Sequence, residues 1–165
     1  MKSIKLLVFD LDETLVHAST ADLGRSADFI YESYQVYLRP HCIAILANLS
    51  IDYELAIWSS ASKDYVSSVV ENLFADLINL KFVWHQSHCV QKVDLKSGGY
   101  VYLKDLRRLQ KFGYQIEQVL MLDDSPEKLQ RQPGRLLHVP AYLGDKADRY
   151  LLDLPGLINQ YRSAN

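Results

Sequence analysis

Short apolar runs alternate with amphipathic stretches along this chain. Four of the runs are typical of buried strands: Lys5 to Asp10, Tyr53 to Trp58, Gln118 to Asp123 and Leu136 to Val139. Between them apolar residues recur at helical spacing, for example at Val66, Val69 and Val70 after Ser62. This alternation predicts an α/β fold with a parallel central sheet.

Two segments depart from the alternation. Residues 17–39 contain a polar loop and then Phe29 to Leu38, which is rich in β formers and predicts a hairpin or flap. Residues 77–102 consist of short strand-like pieces and turns, which predict a small β insertion. Because there is no repeat and no linker, we expect residues 1–165 to form a single domain.

Two further helical stretches are predicted in the second half of the chain. A helix with the apolar stripe Leu103, Leu106 and Leu109 follows the insertion. In the tail, Pro155 and Gly156 interrupt the apolar pattern, so we expect two short helical pieces that dock on the sheet.

Composition and charge exclude several classes of protein. The net charge of -2 gives no basic footprint for nucleic acid, and no apolar run approaches the length of a membrane span. The N-terminal segment lacks the features of a secretory signal, and the two cysteines form no disulfide framework. We therefore expect a monomer in the cytoplasm, or in the nucleus of a eukaryote, with no nucleic-acid or membrane partner.

The residues that carry chemistry gather at strand ends. Three predicted strands end in acids or hydroxyls: Asp10 with Asp12 and Thr14, Ser59 with Ser60, and Asp123 with Asp124. In parallel α/β sheets, ligands bind outside the carboxyl ends of the strands, so these side chains can converge in one crevice. Carboxylates held this close repel each other, which points to a divalent metal, to acid/base work, or to both.

Together with Lys104, this set meets the requirements of phosphoryl transfer to an aspartate. An anionic nucleophile cannot approach a phosphoryl group unaided, and a Mg²⁺ held by carboxylates removes that repulsion. A lysine and a hydroxyl can then hold the equatorial oxygens. Asp10, fixed at a strand end, fits the nucleophile, and Asp12 fits the acid that protonates the leaving alkoxide.

Five motifs carry a resemblance to a known family: Asp10 to His17 (DLDETLVH), Tyr37 to Pro40, Trp58 to Ala61, Tyr100 to Leu106 and Leu122 to Pro126. The chain resembles the haloacid dehalogenase superfamily and, within it, the small phosphatases of the RNA polymerase II C-terminal domain, or NLI-interacting-factor-like phosphatases. The resemblance covers nearly the whole chain. It implies a haloacid dehalogenase-like parallel sheet with helices on both faces, a short β flap and a small β insertion.

The resemblance also implies a role for each site residue. Asp10 would become an aspartyl-phosphate, and Asp12 would act as acid and base. Four polar residues would hold the phosphate: Thr14, Ser59, Ser60 and Lys104. Mg²⁺ would be bound by Asp10, the backbone carbonyl of Asp12, Asp123 and Asp124. Because relatives often carry Asn at the position of Asp124, this site would hold one extra negative charge.

The leading hypothesis is Mg²⁺-dependent hydrolysis of phosphoserine or phosphothreonine in a protein or peptide. One alternative is the same chemistry on a small phosphometabolite, and the other is a non-enzymatic binding module of the same fold. The insertion is short beside the caps that close over metabolites in the superfamily. Asp10, Asp12 and Lys104 are all present, which favours an enzyme over a binding module.

Overall fold

The computed structural model describes residues 3–95 and 97–164. The described part contains ten β-strands: β1 (Leu6–Phe9), β2 (Val16–Ser19), β3 (Phe29–Tyr31), β4 (Tyr34–Leu38), β5 (Glu54–Trp58), β6 (Leu80–Trp84), β7 (Val90–Val93), β8 (Tyr100–Leu103), β9 (Val119–Asp123) and β10 (Leu136–His138). It also contains three α-helices: α1 (Cys42–Leu49), α2 (Lys63–Leu73) and α3 (Tyr150–Ala164).

Five of the strands form a central parallel sheet in the order β10-β9-β1-β5-β6. β1 lies in the middle, and all four of its side chains are buried. Because successive side chains of a strand point to opposite faces, Leu7 and Phe9 pack on one side and Leu6 and Val8 on the other. The prediction of an α/β fold with a parallel sheet is confirmed.

The two faces of this sheet are covered by different kinds of helix. Buried residues of α1, α2 and α3 all pack in the same cluster as Leu7 and Phe9. The opposite face is covered by short 3₁₀-helices, which contribute Leu106, Leu109 and Leu129. Helices do lie on both faces, but in the described residues the second face carries 3₁₀-helices.

The predicted helix around Leu106 is thus a 3₁₀-helix that spans Leu106–Phe112. Its ends explain why it stays short. The Asp105 carboxylate caps its start by accepting from the Arg107 N–H at 3.1 Å, and Gly113 ends it with a left-handed backbone, φ 88°.

The C-terminal helix α3 is continuous, so the prediction of two helical pieces is wrong. Pro155 removes one backbone donor from its second turn. Leu151, Leu154 and Ile158 nevertheless remain on one buried face, and their packing against the core keeps the helix together. Neither this helix nor any other in the described part of the chain is long and apolar enough to cross a membrane.

The β insertion is smaller than residues 77–102, because β6 pairs with β5 as an edge strand of the central sheet. The sequence did not indicate that β6 belongs to the central sheet, because this strand contains an exposed lysine, Lys81, and is only partly buried. Within residues 77–95 and 97–102 of this segment, β7 and β8 form an antiparallel pair that is separate from the central sheet.

The flap is a three-stranded antiparallel sheet in the order β2-β4-β3. The run of β formers predicted the hairpin of β3 and β4, and the structure adds β2. β3 and β4 form a hairpin in which Glu32 has a left-handed backbone, φ 51°. The flap lies beside α2, where the rings of Tyr31 and Tyr65 meet edge-on with centroids 5.3 Å apart.

Candidate active site

Asp10 lies at the carboxyl edge of the central sheet, directly after β1. Its N–H donates to the Leu122 carbonyl at 2.8 Å, which extends the pairing of β1 with β9 by one residue. The residue is 1% exposed. A carboxylate on a backbone fixed in this way has little freedom to move, as a nucleophile at a strand end requires.

The loop after Asp10 is a tight turn. The Leu11 carbonyl accepts from the N–H groups of Leu15 and Val16 at 2.9 and 3.1 Å. Glu13 takes a left-handed backbone, φ 62°. The buried Arg39 supports this loop, since it donates to the Thr14 carbonyl at 3.1 Å. Its guanidinium also pairs with Asp148 at 2.8 Å, so Arg39 is part of the scaffold of the loop.

Lys104 brings two of the strand ends together. It follows β8 directly, is fully buried, and donates to Asp10 Oδ1 and to Asp123 Oδ2, both at 2.6 Å. A second lysine, Lys128, lies 3.4 Å from Asp10 Oδ2 and 3.7 Å from Asp123 Oδ1.

These lysines and the burial of the site shift the two carboxyl groups in opposite directions. Burial alone would raise the pKa of Asp10, but the ammonium groups of Lys104 and Lys128 outweigh it and hold that pKa below its ordinary value. For Asp123 the effect of burial wins. Together with repulsion from Asp10, it raises the Asp123 pKa although Lys104 is in contact.

Asp12 occupies a different environment, only two residues from Asp10. Its Oδ1 accepts a 2.5 Å hydrogen bond from the Tyr65 hydroxyl, which α2 places at the rim of the site. Burial raises the pKa of Asp12 to about 6, although the bond from Tyr65 acts in the opposite direction. A carboxyl group with such a pKa can hold a proton and release it close to neutral pH.

Three carboxylates of the site could hold a cation together. Asp10, Asp123 and Asp124 each offer an oxygen, and these oxygens lie within 4.8 Å of one another. The Asp12 side chain is not a member of this group. That the backbone carbonyl of Asp12 binds the metal remains a prediction. Carboxylate oxygens are the ligands that Mg²⁺ prefers, so the chemistry of this group fits that ion.

The predicted phosphate-binding hydroxyls lie near the same edge of the sheet. Ser59 follows β5, and its Oγ accepts from the Ala61 N–H at 3.0 Å, which leaves its proton free to be donated. Thr14 is buried, and its Oγ1 has no hydrogen-bond partner among the described residues. Ser60, next to Ser59, is partly buried. Their binding of phosphate remains a prediction.

An open pocket of about 390 Å³ adjoins Asp12 between the flap and α2. Its lining includes Tyr31, Glu32 and Tyr34 from the flap and Tyr65 from α2. The pocket lining is thus aromatic and includes one acid, Glu32, from the flap. The pocket opens beside Asp12, the residue whose carboxyl pKa is raised.

Sequence reasoning missed Lys128 and Tyr65. Lys128 follows the acid pair at the end of β9, and a basic residue within one turn of an acidic strand end was the available signal. Tyr65 gave no such signal, because it lies in an amphipathic helix where an aromatic residue is ordinarily part of the core.

Comparison with known proteins gives the same assignment as the motifs. Residues 5–165 match the family of NLI interacting factor-like phosphatases. The chain is 30% identical over 173 residues to CTD nuclear envelope phosphatase 1B of Danio rerio, a match that covers 96% of this chain and 67% of the relative. It is 32% identical over 158 residues to CTD small phosphatase-like protein of Homo sapiens, covering 91% of this chain and 53% of the relative.

Solved structures share the fold. Fission yeast RNA polymerase II CTD phosphatase Fcp1, bound to beryllium fluoride, has a TM-score of 0.61 at 21% identity, over 98% of this chain and 51% of that one. A HAD-like family hydrolase from Porphyromonas gingivalis has a TM-score of 0.59 at 15% identity, over 95% and 98% of the two chains. The fold is therefore that of the haloacid dehalogenase-like hydrolases. The chain is a phosphatase, and it belongs to the NLI interacting factor-like phosphatase family.

Proposed function

We propose that this phosphatase is Mg²⁺-dependent, forms an aspartyl-phosphate on Asp10, and hydrolyses phosphoserine or phosphothreonine in proteins. One observation carries the mechanism. Two carboxyl groups two residues apart have opposite environments: Asp10 is buried between two lysines, and Asp12 is bonded to a tyrosine with its pKa raised to about 6. One is suited to remain an anion and the other to carry a proton.

In the first step an oxygen of Asp10 attacks the phosphorus atom. The bond between phosphorus and the serine or threonine oxygen breaks, and Asp12 gives its proton to the departing alkoxide. In the second step water attacks the phosphorus of the aspartyl-phosphate while Asp12 takes a proton from that water. The bond from phosphorus to Asp10 then breaks, which releases inorganic phosphate and restores the carboxylate.

The cluster of three carboxylates in the crevice supports the Mg²⁺ dependence. Asp10, Asp123 and Asp124 would hold the ion through their carboxylates. When bound, it would reduce the repulsion between the Asp10 carboxylate and the anionic phosphoryl group. Lys104 fixes Asp10 and Asp123 relative to each other, so two of the three carboxylates are already oriented before a cation binds.

Three hydroxyls and a lysine are proposed to hold the phosphoryl oxygens: Thr14, Ser59, Ser60 and Lys104. The buried Thr14 Oγ1 supports this assignment, because a hydroxyl without a partner is costly to bury unless a ligand satisfies it. The Ser59 hydroxyl can also donate a hydrogen bond to a phosphoryl oxygen, because it acts only as acceptor in its bond from the Ala61 N–H.

The open pocket beside Asp12 supports a protein substrate. It lies next to the group that protonates the leaving oxygen, so it can receive side chains on either side of the phosphorylated residue. The relatives named above include a CTD small phosphatase-like protein, and the fission yeast Fcp1 is by name a phosphatase of the RNA polymerase II CTD, a polypeptide substrate. The cytoplasmic location and the monomeric state remain predictions, and the nuclear envelope in the name of the Danio rerio relative is the alternative location.

Two measurements test this function. Phosphate release from a phosphoserine and phosphothreonine peptide library should exceed release from a panel of sugar phosphates and nucleotides in kcat/KM. If kcat/KM for a single metabolite exceeds that for the best peptide a hundredfold, the hypothesis of a metabolite phosphatase is correct instead. Independently, beryllium fluoride with Mg²⁺ should give an adduct on Asp10, detected by ¹⁹F NMR and lost in Asp10→Asn. An adduct on another carboxylate would disprove the mechanism.

A further inference from the structure

Among the residues that the structure describes, Lys128 is a cation of the crevice to which the mechanism above assigns no part. It lies in the 3₁₀-helix Pro126–Leu129, after the acids that end β9. Its side chain is 18% exposed, whereas that of Lys104 is 0% exposed. The two lysines therefore face the same carboxylates from different depths, Lys104 from inside the protein and Lys128 from the solvent side.

The two lysines use different oxygens of the same two residues. Lys104 donates to Asp10 Oδ1 and Asp123 Oδ2 at 2.6 Å. Lys128 faces Asp10 Oδ2 at 3.4 Å and Asp123 Oδ1 at 3.7 Å, distances at or beyond the limit of a good hydrogen bond. The oxygens that do not contact Lys104 are therefore the ones that Lys128 faces, and its contacts with them are long. Asp123 Oδ1 also accepts from the Ser125 N–H at 2.9 Å, whereas Lys128 is the partner of Asp10 Oδ2.

The backbone of Lys128 is fixed although its ammonium group is not. The Lys104 N–H donates to the Lys128 carbonyl at 2.8 Å, and the Lys128 N–H donates to the Ser125 carbonyl at 3.1 Å. The flexible stem of a lysine lets its ammonium group move over several ångströms from such an anchor, and the group has three donors to offer. It is thus well placed to exchange one anionic partner for another.

The balance of charge provides a reason for such an exchange. Four carboxyl groups surround the crevice, namely Asp10, Asp12, Asp123 and Asp124. In the described part of the chain, Lys104 is the crevice cation that is fully buried, beside the two buried carboxylates Asp10 and Asp123. A divalent cation on these oxygens would repel a second ammonium group that faces them. The anionic phosphate of a substrate would attract the same group.

We propose that Lys128 exchanges partners: it neutralises Asp10 and Asp123 in the free enzyme and moves to a phosphate oxygen once Mg²⁺ and substrate are bound. The proposal rests on the proposed phosphatase function. It makes Lys128 a phosphate-binding residue in addition to Lys104. It also requires removal of the Lys128 charge to have two effects of opposite sign, tighter binding of Mg²⁺ and weaker binding of phosphate.

The test compares Lys128→Gln with the wild-type protein and with two further variants. Lys128→Arg keeps the charge. Lys92→Gln removes one positive charge outside the crevice, since Lys92 is exposed and bonds to Gln130 at 2.8 Å. For each protein, Mg²⁺ alone is titrated by calorimetry, and inorganic phosphate is measured as a competitive inhibitor at saturating Mg²⁺. Thermal unfolding checks that every variant is folded.

We expect Lys128→Gln to bind Mg²⁺ about tenfold more tightly and phosphate about tenfold more weakly, the size of change that one charge-assisted hydrogen bond makes. Lys128→Arg and Lys92→Gln should resemble the wild type in both. Unchanged phosphate binding in a folded Lys128→Gln would overturn the proposal, because Lys128 would then be a permanent partner of the carboxylates. Unchanged Mg²⁺ binding would overturn it too. A wild-type protein without an Asp10 adduct would instead refute the phosphatase mechanism, so the two failures are distinct.

Discussion

The crevice has two sides, and they shift the pKa of an aspartate side chain in opposite directions. On the lysine side, Asp10 and Asp123 are buried around Lys104, with Lys128 at the rim. On the tyrosine side, the carboxyl group of Asp12 meets the hydroxyl of Tyr65 and the flap pocket. The pKa of Asp10 is lowered and that of Asp12 is raised to about 6, although only Leu11 separates them in sequence.

The difference shows that burial does not by itself decide the charge of a carboxyl group. Burial raises the pKa in both cases, and the outcome depends on what accompanies it. Two ammonium groups reverse the effect at Asp10. At Asp12 the Tyr65 hydroxyl and the more weakly acting Lys128 only moderate it. One short loop can therefore present an anion and a proton donor to the same phosphate.

The largest expected effect comes from the lysine side. Asp10→Asn keeps the shape of the side chain but removes the nucleophile, and activity should fall on the order of 10⁴-fold or more. Steady-state rates with an aryl phosphate at saturating Mg²⁺ measure this loss, with Asp52→Asn on the exposed surface as the matched control. Retention of more than a few per cent of the activity would show that Asp10 is not phosphorylated.

On the tyrosine side, Asp12→Asn should lower kcat by about 10² to 10⁴-fold for an alkyl phosphate. The loss should be smaller for p-nitrophenyl phosphate, because a good leaving group needs less help from an acid. The measurement is the ratio of the two losses in the same variant. Equal losses for the two substrates would remove Asp12 from the role of general acid.

A moderate effect is expected from Asp124→Asn. An amide oxygen can still bind a cation, but one negative charge is lost, so the Mg²⁺ concentration for half-maximal activity should rise about tenfold. Turnover at saturating Mg²⁺ should be largely retained. Asp123→Asn is the comparison, and it should be worse because Lys104 loses one of its two carboxylate partners. An inactive Asp124→Asn at saturating Mg²⁺ contradicts this prediction.

The smallest effect is a shift of the pH profile in Tyr65→Phe. The first step needs the protonated form of Asp12, so kcat/KM for an alkyl phosphate should fall as the pH rises through about 6, the raised pKa of this group. The Tyr65 hydroxyl stabilises the charged form. Its removal raises the Asp12 pKa further, and the falling limb should move to higher pH.

A matched control for this variant is Tyr114→Phe. The Tyr114 hydroxyl also bonds to a carboxylate, Glu54 at 2.6 Å, but at the opposite end of β5 from the crevice. It should leave the pH profile in place. A shift of the Tyr65→Phe limb to lower pH would mean that the hydroxyl does not act on the anion of Asp12.

Four of the five strands of the central sheet, and the acids that end β9 and follow β1, were predictable because each depends on local sequence. β1, β5 and β9 are apolar runs followed at once by polar residues, and strand ends in a parallel sheet share one edge. Edge strand β6 was not predictable in this way, since its exposed lysine makes it resemble part of the insertion. The continuity of α3 through Pro155 also depended on core packing that local propensity does not contain.

By itself the sequence determined which groups could take part in chemistry: a carboxylate pair after one strand, a second pair after another, and a lysine between them in sequence. Only the tertiary structure decided what each group meets. Lys104 reaches Asp10 across 94 positions of sequence, Lys128 reaches it across 118, and Tyr65 reaches Asp12 across 53. Because the pKa of a carboxyl group depends on burial and on charges within a few ångströms, the distinction between the proposed nucleophile and the proposed acid exists only once the chain is folded.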